Sequence, residues 1–176
     1  MNNNMDAKDF LIRLEQSGWV IVPNSAKTPR LHEISVEKLK FAGGNFEKLI
    51  TSYFSCSNLS DDVWFLSWAD FSGESDSSFL WNEFEIQSLD AAMNELQRNQ
   101  VTKFWSQHIP FLISVRSGYS YIAISIEEST FGKIVLGNEP EYEETIMLSD
   151  SLEDFFKLCS DSIGGQISDP RLAQFV

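Results

Sequence analysis

Cysteine and histidine are nearly missing from this 176-residue sequence, with two of each. Cys56 and Cys159 are too few for a secreted disulfide scaffold, and a structural zinc site needs about four ligands in paired spacing. Both are expected as reduced thiols in a reducing compartment. His32 and His108 lie far apart, and neither sits in a His-x-x-x-His zinc helix. Cations are scarce as well: 13 Lys and Arg stand against 26 Asp and Glu, a net charge of −13. Phosphate backbones and anionic lipid surfaces are held by clustered cations, so neither nucleic acid nor membrane is expected as a partner. No apolar run approaches the ~18 residues of a membrane span. The opening MNNNMDAKDF has neither the basic nor the apolar segment of a signal peptide, so a cytoplasmic protein is expected. Gly43-Gly44 and Gly164-Gly165 lack phosphate-loop spacing and read as helix punctuation, and there is no Gly-x-Ser-x-Gly elbow. These absences leave an acidic domain with no cofactor or metal site evident in its motifs.

What the chain has is aromatic bulk: 14 Phe, 5 Trp and 4 Tyr within a hydrophobic share of 43%. A chain of this size buries ~70% of its unfolded surface and needs no staple. Ala7, Phe10, Leu11 and Leu14 recur at helical spacing, so Asp6–Ser17 predicts a helix stopped by Gly18. Trp19–Val22 reads as a short strand closed by Pro23, and Asn24–Arg30 as a loop. A helical turn is expected over Ser35–Lys40, then a helix capped by Asn45 with Phe46, Leu49, Ile50 and Tyr53 on one face. Val63–Trp68 predicts a strand and residues 71–78 a polar loop. Phe79–Ile86 alternates like a half-buried second strand that would pair with the first. Cys56 falls in a Ser-rich turn. Ser88 is expected to cap a helix with Leu89, Ala92, Met93 and Leu96 along its stripe, ended by Pro110. Residues 111–126 predict a hairpin turned at Gly118, followed by strands over Lys133–Leu136 and Thr145–Leu148 in an antiparallel meander. Ser151 opens the clearest amphipathic helix, with Leu152, Phe155, Phe156, Cys159 and Ile163 on its stripe. The tail from Gln166 is read either as a loose end or as a docked extension.

Chemistry-bearing patterns are weak. His108 precedes Ile109-Pro110 and is the one candidate general acid or base, which leaves a hydrolase as a remote reading. Asp70, Ser72, Glu74 and Asp76 alternate oxygen ligands but do not follow the order of a calcium loop. Glu141, Glu143 and Glu144 crowd as surface acids do. The five Trp suit core packing, yet an aromatic surface rimmed by acids would be the best binding site the chain has to offer.

Charge is placed unevenly. Residues 1–48 hold seven Lys and Arg against six Asp and Glu. Between Lys48 and Arg98 there are nine acids and no base, and from Glu127 to Asp154 nine acids face Lys133 alone. Such a field steers basic partners.

Trp105, Ile109-Pro110-Phe111, GYSYIAISI at 118–126, Gly132-Lys133-Ile134-Val135 and SLEDFFKL at 151–158 stand in an order that resembles the SUKH superfamily. This is the group around the yeast Smi/Knr cell-wall-synthesis regulator and bacterial Syd. Leu152 replaces the usual Phe, and Phe155 and Phe156 supply the bulk. The resemblance implies an α+β fold, a mainly antiparallel curved sheet with helices packed on it. It assigns 36–164 to the SUKH-like domain, 1–35 to an N-terminal extension and 165–176 to a tail. Trp105, Ile109, Pro110, Gly118, Gly132, Phe155 and Phe156 become its structural motif. It also implies a non-catalytic protein-binding role: many bacterial members are similar to immunity proteins that neutralise a toxin, often a basic nuclease, by direct contact. The alternative is a regulatory scaffold for a cellular enzyme. Asp70, Glu74, Asp76, Glu139, Glu141, Glu143 and Glu144 are the acids expected to meet a basic partner.

Overall fold

The computed structural model describes residues 5–24 and 36–176. Of the expected loop Asn24–Arg30, the residues 25–30 lie outside them, as does His32. Helix α1 (Ala7–Gln16) starts where Asp6 accepts the Asp9 N–H at 2.9 Å. It buries Ala7, Phe10 and Leu14, the predicted stripe. Strand β1 (Val20–Val22) follows, then a 3-10 turn (Glu37–Phe41) and α2 (Gly44–Thr51). Next come β2 (Ser55–Ser57), β3 (Val63–Phe65), α3 (Trp68–Ser72), α4 (Glu83–Ala91) and α5 (Glu95–Ser106). The chain closes with β4 (His108–Ser114), β5 (Ser120–Ser125), β6 (Ile134–Asn138), β7 (Ile146–Ser149) and α6 (Leu152–Ile163).

Among the described residues seven strands join one antiparallel sheet in chain order, an α+β fold with helices packed on a curved, unclosed sheet. Every residue of β4 and β5 is buried, so both faces of the sheet centre are covered. On one face Phe65 and Phe111 meet Phe10 of α1, Phe46 of α2 and Phe155 of α6. On the other, the cross-strand row Trp64–Ile113–Tyr121–Gly137 lies under Phe79, Phe84 of α4 and Trp105 of α5. Each fully buried Phe or Leu contributes ~1.5–3 kcal/mol relative to exposure, so these two aromatic layers dominate the favourable side of folding. α1 and the residue leading into β1, expected within an extension, contribute Phe10, Leu14 and Trp19 to the same core. The tail is docked: Leu172 and Phe175 are buried, and the Gln174 carbonyl accepts from Ser114 at 2.6 Å.

The hairpin, the meander and α6 follow the sequence reading; Gly118 holds φ at +97° in the β4–β5 turn. Other expectations are corrected. Phe79–Ile86 is not a strand, and β3 pairs with β2 and β4 instead. Its alternating Glu83 and Glu85 occupy the first turn of α4, where carboxylates meet the positive end of the helix dipole. Phe84 and Ser88 then bury at i, i+4 spacing. Strand β3 stops at Phe65 because Ser67 and Asp70 form a capping box, which opens α3 where a strand and a loop are expected. Ser88 lies inside α4; the next helix is capped by Asn94, which accepts the Gln97 N–H at 3.0 Å, and Met93 and Leu96 are exposed. Gly43, not Asn45, precedes α2, while Asn45 bonds Glu153 of α6. Cys56 sits in β2.

Gly137 is a close-approach position. The Tyr121 ring lies over it, and an added Cβ would penetrate the ring. Gly44, at the start of α2, has open space around it and no positive φ. In chemical denaturation Gly137→Ala is expected to cost about 1–3 kcal/mol, the range for overpacking. Gly44→Ala is expected to gain up to about 1 kcal/mol from helix propensity. Equal effects at the two positions would contradict the close approach.

Candidate functional site

The first turn of α3 aims Asp70 back at Ser67, whose N–H donates to its Oδ2 at 2.7 Å. After α3, Gly73 takes a left-handed turn, and the Glu74 and Ser75 N–H groups return to the Ala69 carbonyl at 2.8 and 3.1 Å. The chain then bonds to itself: the Ser77 N–H donates to Ser75 Oγ at 3.3 Å, and Ser77 Oγ accepts the Phe79 N–H at 3.2 Å. This serine lip stands over β2 and β3 and encloses a cleft of about 600 Å³. Phe54, Trp64, Phe79 and Tyr119 form its aromatic walls, with Asp61, Asp70 and Asp76 among the lining residues. Phe79 is wedged edge-on against Trp64 at 5.4 Å and against Tyr119 at 6.0 Å, which fixes the wall. Among the described residues no cation lines the cleft.

Tyr119 joins this cleft to the β6–β7 loop, because its carbonyl accepts the Glu139 N–H at 2.9 Å. The seven acids singled out from the sequence therefore divide by place. Asp70 and Asp76 line the cleft, with Glu74 exposed beside them. Glu139, Glu141 and Glu144 are exposed on the adjoining loop. Glu143 does different work: its Oε1 accepts the indole N–H of buried Trp105 at 2.8 Å. Asp70 likewise spends one carboxylate oxygen on Ser67. Asp61, Phe54, Phe79 and Tyr119 line the cleft without being marked as site residues by the sequence pattern. The available signal was the serine run 75–78 between acids and aromatics; the fold alone brings Asp61 and Tyr119 to it.

The motif residues sit in the frame. Trp105, Ile109, Pro110, Phe155 and Phe156 are buried, and Gly118 and Gly132 hold positive φ at turns. Burial pushes the Cys56 thiol up to about 12 and Cys159 higher still, and both thiols are free. His108 is buried, stacked on Phe104 with ring centroids 4.0 Å apart and with Nδ1 2.9 Å from the Phe104 carbonyl. The ring bonds that carbonyl, with no acid or thiol in hydrogen-bond reach among the described residues. Lys38 donates to the Trp105 and His108 carbonyls at 2.6 and 3.0 Å, under the Trp81 ring at 5.1 Å. Burial lowers it to about 8 against the pull of Glu85. It ties the 3-10 turn to the end of α5. Among the described residues no three His, Cys, Asp or Glu side chains gather where they could hold a metal ion, and no helix is long and apolar enough to cross a membrane. No family model, curated protein or solved structure matches the chain.

Two measurements test these roles. Glu143→Ala strands the buried indole N–H and is expected to cost about 1–3 kcal/mol of stability. Glu141→Ala and Glu144→Ala are expected to stay within about 0.5 kcal/mol. Burial lowers the pKa of His108 from 6.5, outweighing the Phe104 carbonyl and Glu127, which raise it. The unfolded imidazole gains its proton near 6.5 and the folded one only at lower pH. Stability is therefore lost as pH falls through that window. His108→Phe is expected to remove this part of the acid sensitivity, read as the difference between the two proteins' stability–pH curves.

Proposed function

We propose that the chain is a non-catalytic protein-binding module that works as an immunity protein, covering a basic toxin by direct contact. The observation that carries this reading is the continuity of two features on one side of the molecule. An aromatic-walled cleft and an exposed acidic loop meet at Tyr119, with Asp76, Glu139, Glu141 and Glu144 around them. Large aromatics supply contact area at little entropic cost, and rim acids supply the long-range pull. The ordered motifs that resemble the SUKH superfamily support the same reading, because bacterial members of that group are similar to toxin-neutralising proteins. Occlusion requires no reacting group; it requires a rigid face. β4 and β5, buried throughout, support that face from beneath.

The test is capture on the tagged protein from its own cell at low and moderate salt, followed by reconstitution with the purified prey. One basic polypeptide bound at one-to-one stoichiometry is expected, with its activity suppressed in proportion to occupancy. Replacing Asp76, Glu139, Glu141 and Glu144 with lysine is expected to slow association about tenfold or more at low ionic strength, with the difference shrinking as salt rises. A prey whose activity is untouched, or an association rate indifferent to the four lysines, would overturn the proposal.

A further inference from the structure

We infer that the cleft between the serine lip and β2–β3 is a socket for an arginine side chain of the bound partner. This rests on the protein-binding reading and names the chemistry of its central contact.

The size suits a side chain with its flanking backbone: about 600 Å³ lies within the range of sites that enclose small ligands. The lining decides which side chain. An apolar anchor would have to desolvate Asp61, Asp70 and Asp76 without pairing them. An anion would meet the same carboxylates with no cation to offset them. A cation pairs them, and the aromatic walls choose among cations. Trp64, Phe79 and Tyr119 offer ring faces and edges to a planar group. The guanidinium is planar and weakly hydrated, stacks on aromatics and forks onto carboxylates; the compact, strongly hydrated ammonium of lysine fits such a wall less well. The Asp61 and Asp76 carboxylates are also free to answer, and Asp70 keeps the oxygen that does not bond Ser67. No ion pair to Asp61, Asp70 or Asp76 is formed among the described residues, in contrast to Asp62, which Arg116 holds at 3.4 Å. Asp61 is held at the cleft by a left-handed backbone, φ +54°, at the β2–β3 turn. The wall is made before any partner arrives, since Phe79 is packed against Trp64, Phe84 and Tyr119 at once. A pre-formed socket spares the ordering cost of binding.

The probe is the capped peptide acetyl-Gly-Arg-Gly-amide, titrated into the full chain while the Trp64 indole N–H resonance is followed. The control is the same peptide with citrulline, which keeps the planar shape and removes the charge. A saturable shift with a Kd on the order of 1–10 mM is expected for so small a ligand, weaker with lysine in place of arginine and absent with citrulline. Asp76→Asn, on the exposed lip, and Asp61→Asn, where asparagine tolerates the left-handed turn, are each expected to weaken binding about threefold. Thermal unfolding of both variants checks that the fold is kept. Asp76→Asn touches no hydrogen bond of the frame and serves alone if Asp61→Asn unfolds. Equal shifts with arginine and citrulline, or no shift at all, would overturn the socket. Its failure is separable from that of the wider reading. A chain that captures and inhibits a basic prey but ignores the peptide keeps its role and loses the socket. One that takes the peptide in the cleft but finds no prey does the reverse.

Discussion

Two adjacent strands buried along their whole length cannot exist in a sheet with a wet side. β4 and β5 are such strands, and covering them sets the rest of the architecture. Their backbone groups must be paired by neighbours, because an unpaired amide in that environment costs as much as a lost hydrogen bond. β3 and β6 supply those pairs. Their side chains point alternately to two faces, and each face needs an apolar cover. α1, α2 and α6 provide one through Phe10, Phe46 and Phe155, while α4 and α5 provide the other through Phe84 and Trp105. The high aromatic content follows from this arrangement, since two thin layers of helix must each fill a broad sheet face.

Elements whose period is set by one dominant neighbour were legible in the sequence. α1 and α6 pack one stripe on the sheet, so their 3.6-residue spacing is clean, and the β4–β5 hairpin announces itself through Gly118. The segment 63–96 was not legible, and the reason is local. Two short helices, α3 and α4, lie there, and the caps that open α3 and α5 are Ser67 and Asn94, polar residues that also suit loops; Gly73 closes α3 inside what reads as a polar loop. α3 spans little more than one turn, and α4 buries only Phe84 and Ser88, so neither shows a full apolar stripe. Eight residues at such a helix start alternate by accident. The same segment carries the lip of the cleft, so the part of the chain with the most misleading pattern is also the part that shapes the candidate site.

Half of that site could be read from charge. A run without cations pointed to residues 49–97, and Asp70 and Asp76 do reach the cleft. Charge alone could not sort acids by employment. Glu143 and Asp70 are tied to Trp105 and Ser67, whereas the Glu141 and Glu144 carboxylates pair with no group among the described residues. Composition treats them alike because the distinction depends on what the fold places opposite each carboxylate. Tyr119 shows the converse case: a residue beside a turn glycine gains its importance only when residues 79 and 139 arrive next to it.

Strand order equal to chain order has a kinetic meaning. The β4–β7 segment closes through short turns, so its pairings cost little loop entropy and belong to the rapid part of assembly. Joining β3 to β4 must instead span α3, α4 and α5, and joining β1 to β2 must span residues 23–54. In a chain made from its N-terminus, β2 and β3 can close on each other through their short turn, while the far edge of β3 has no partner until β4 has been made.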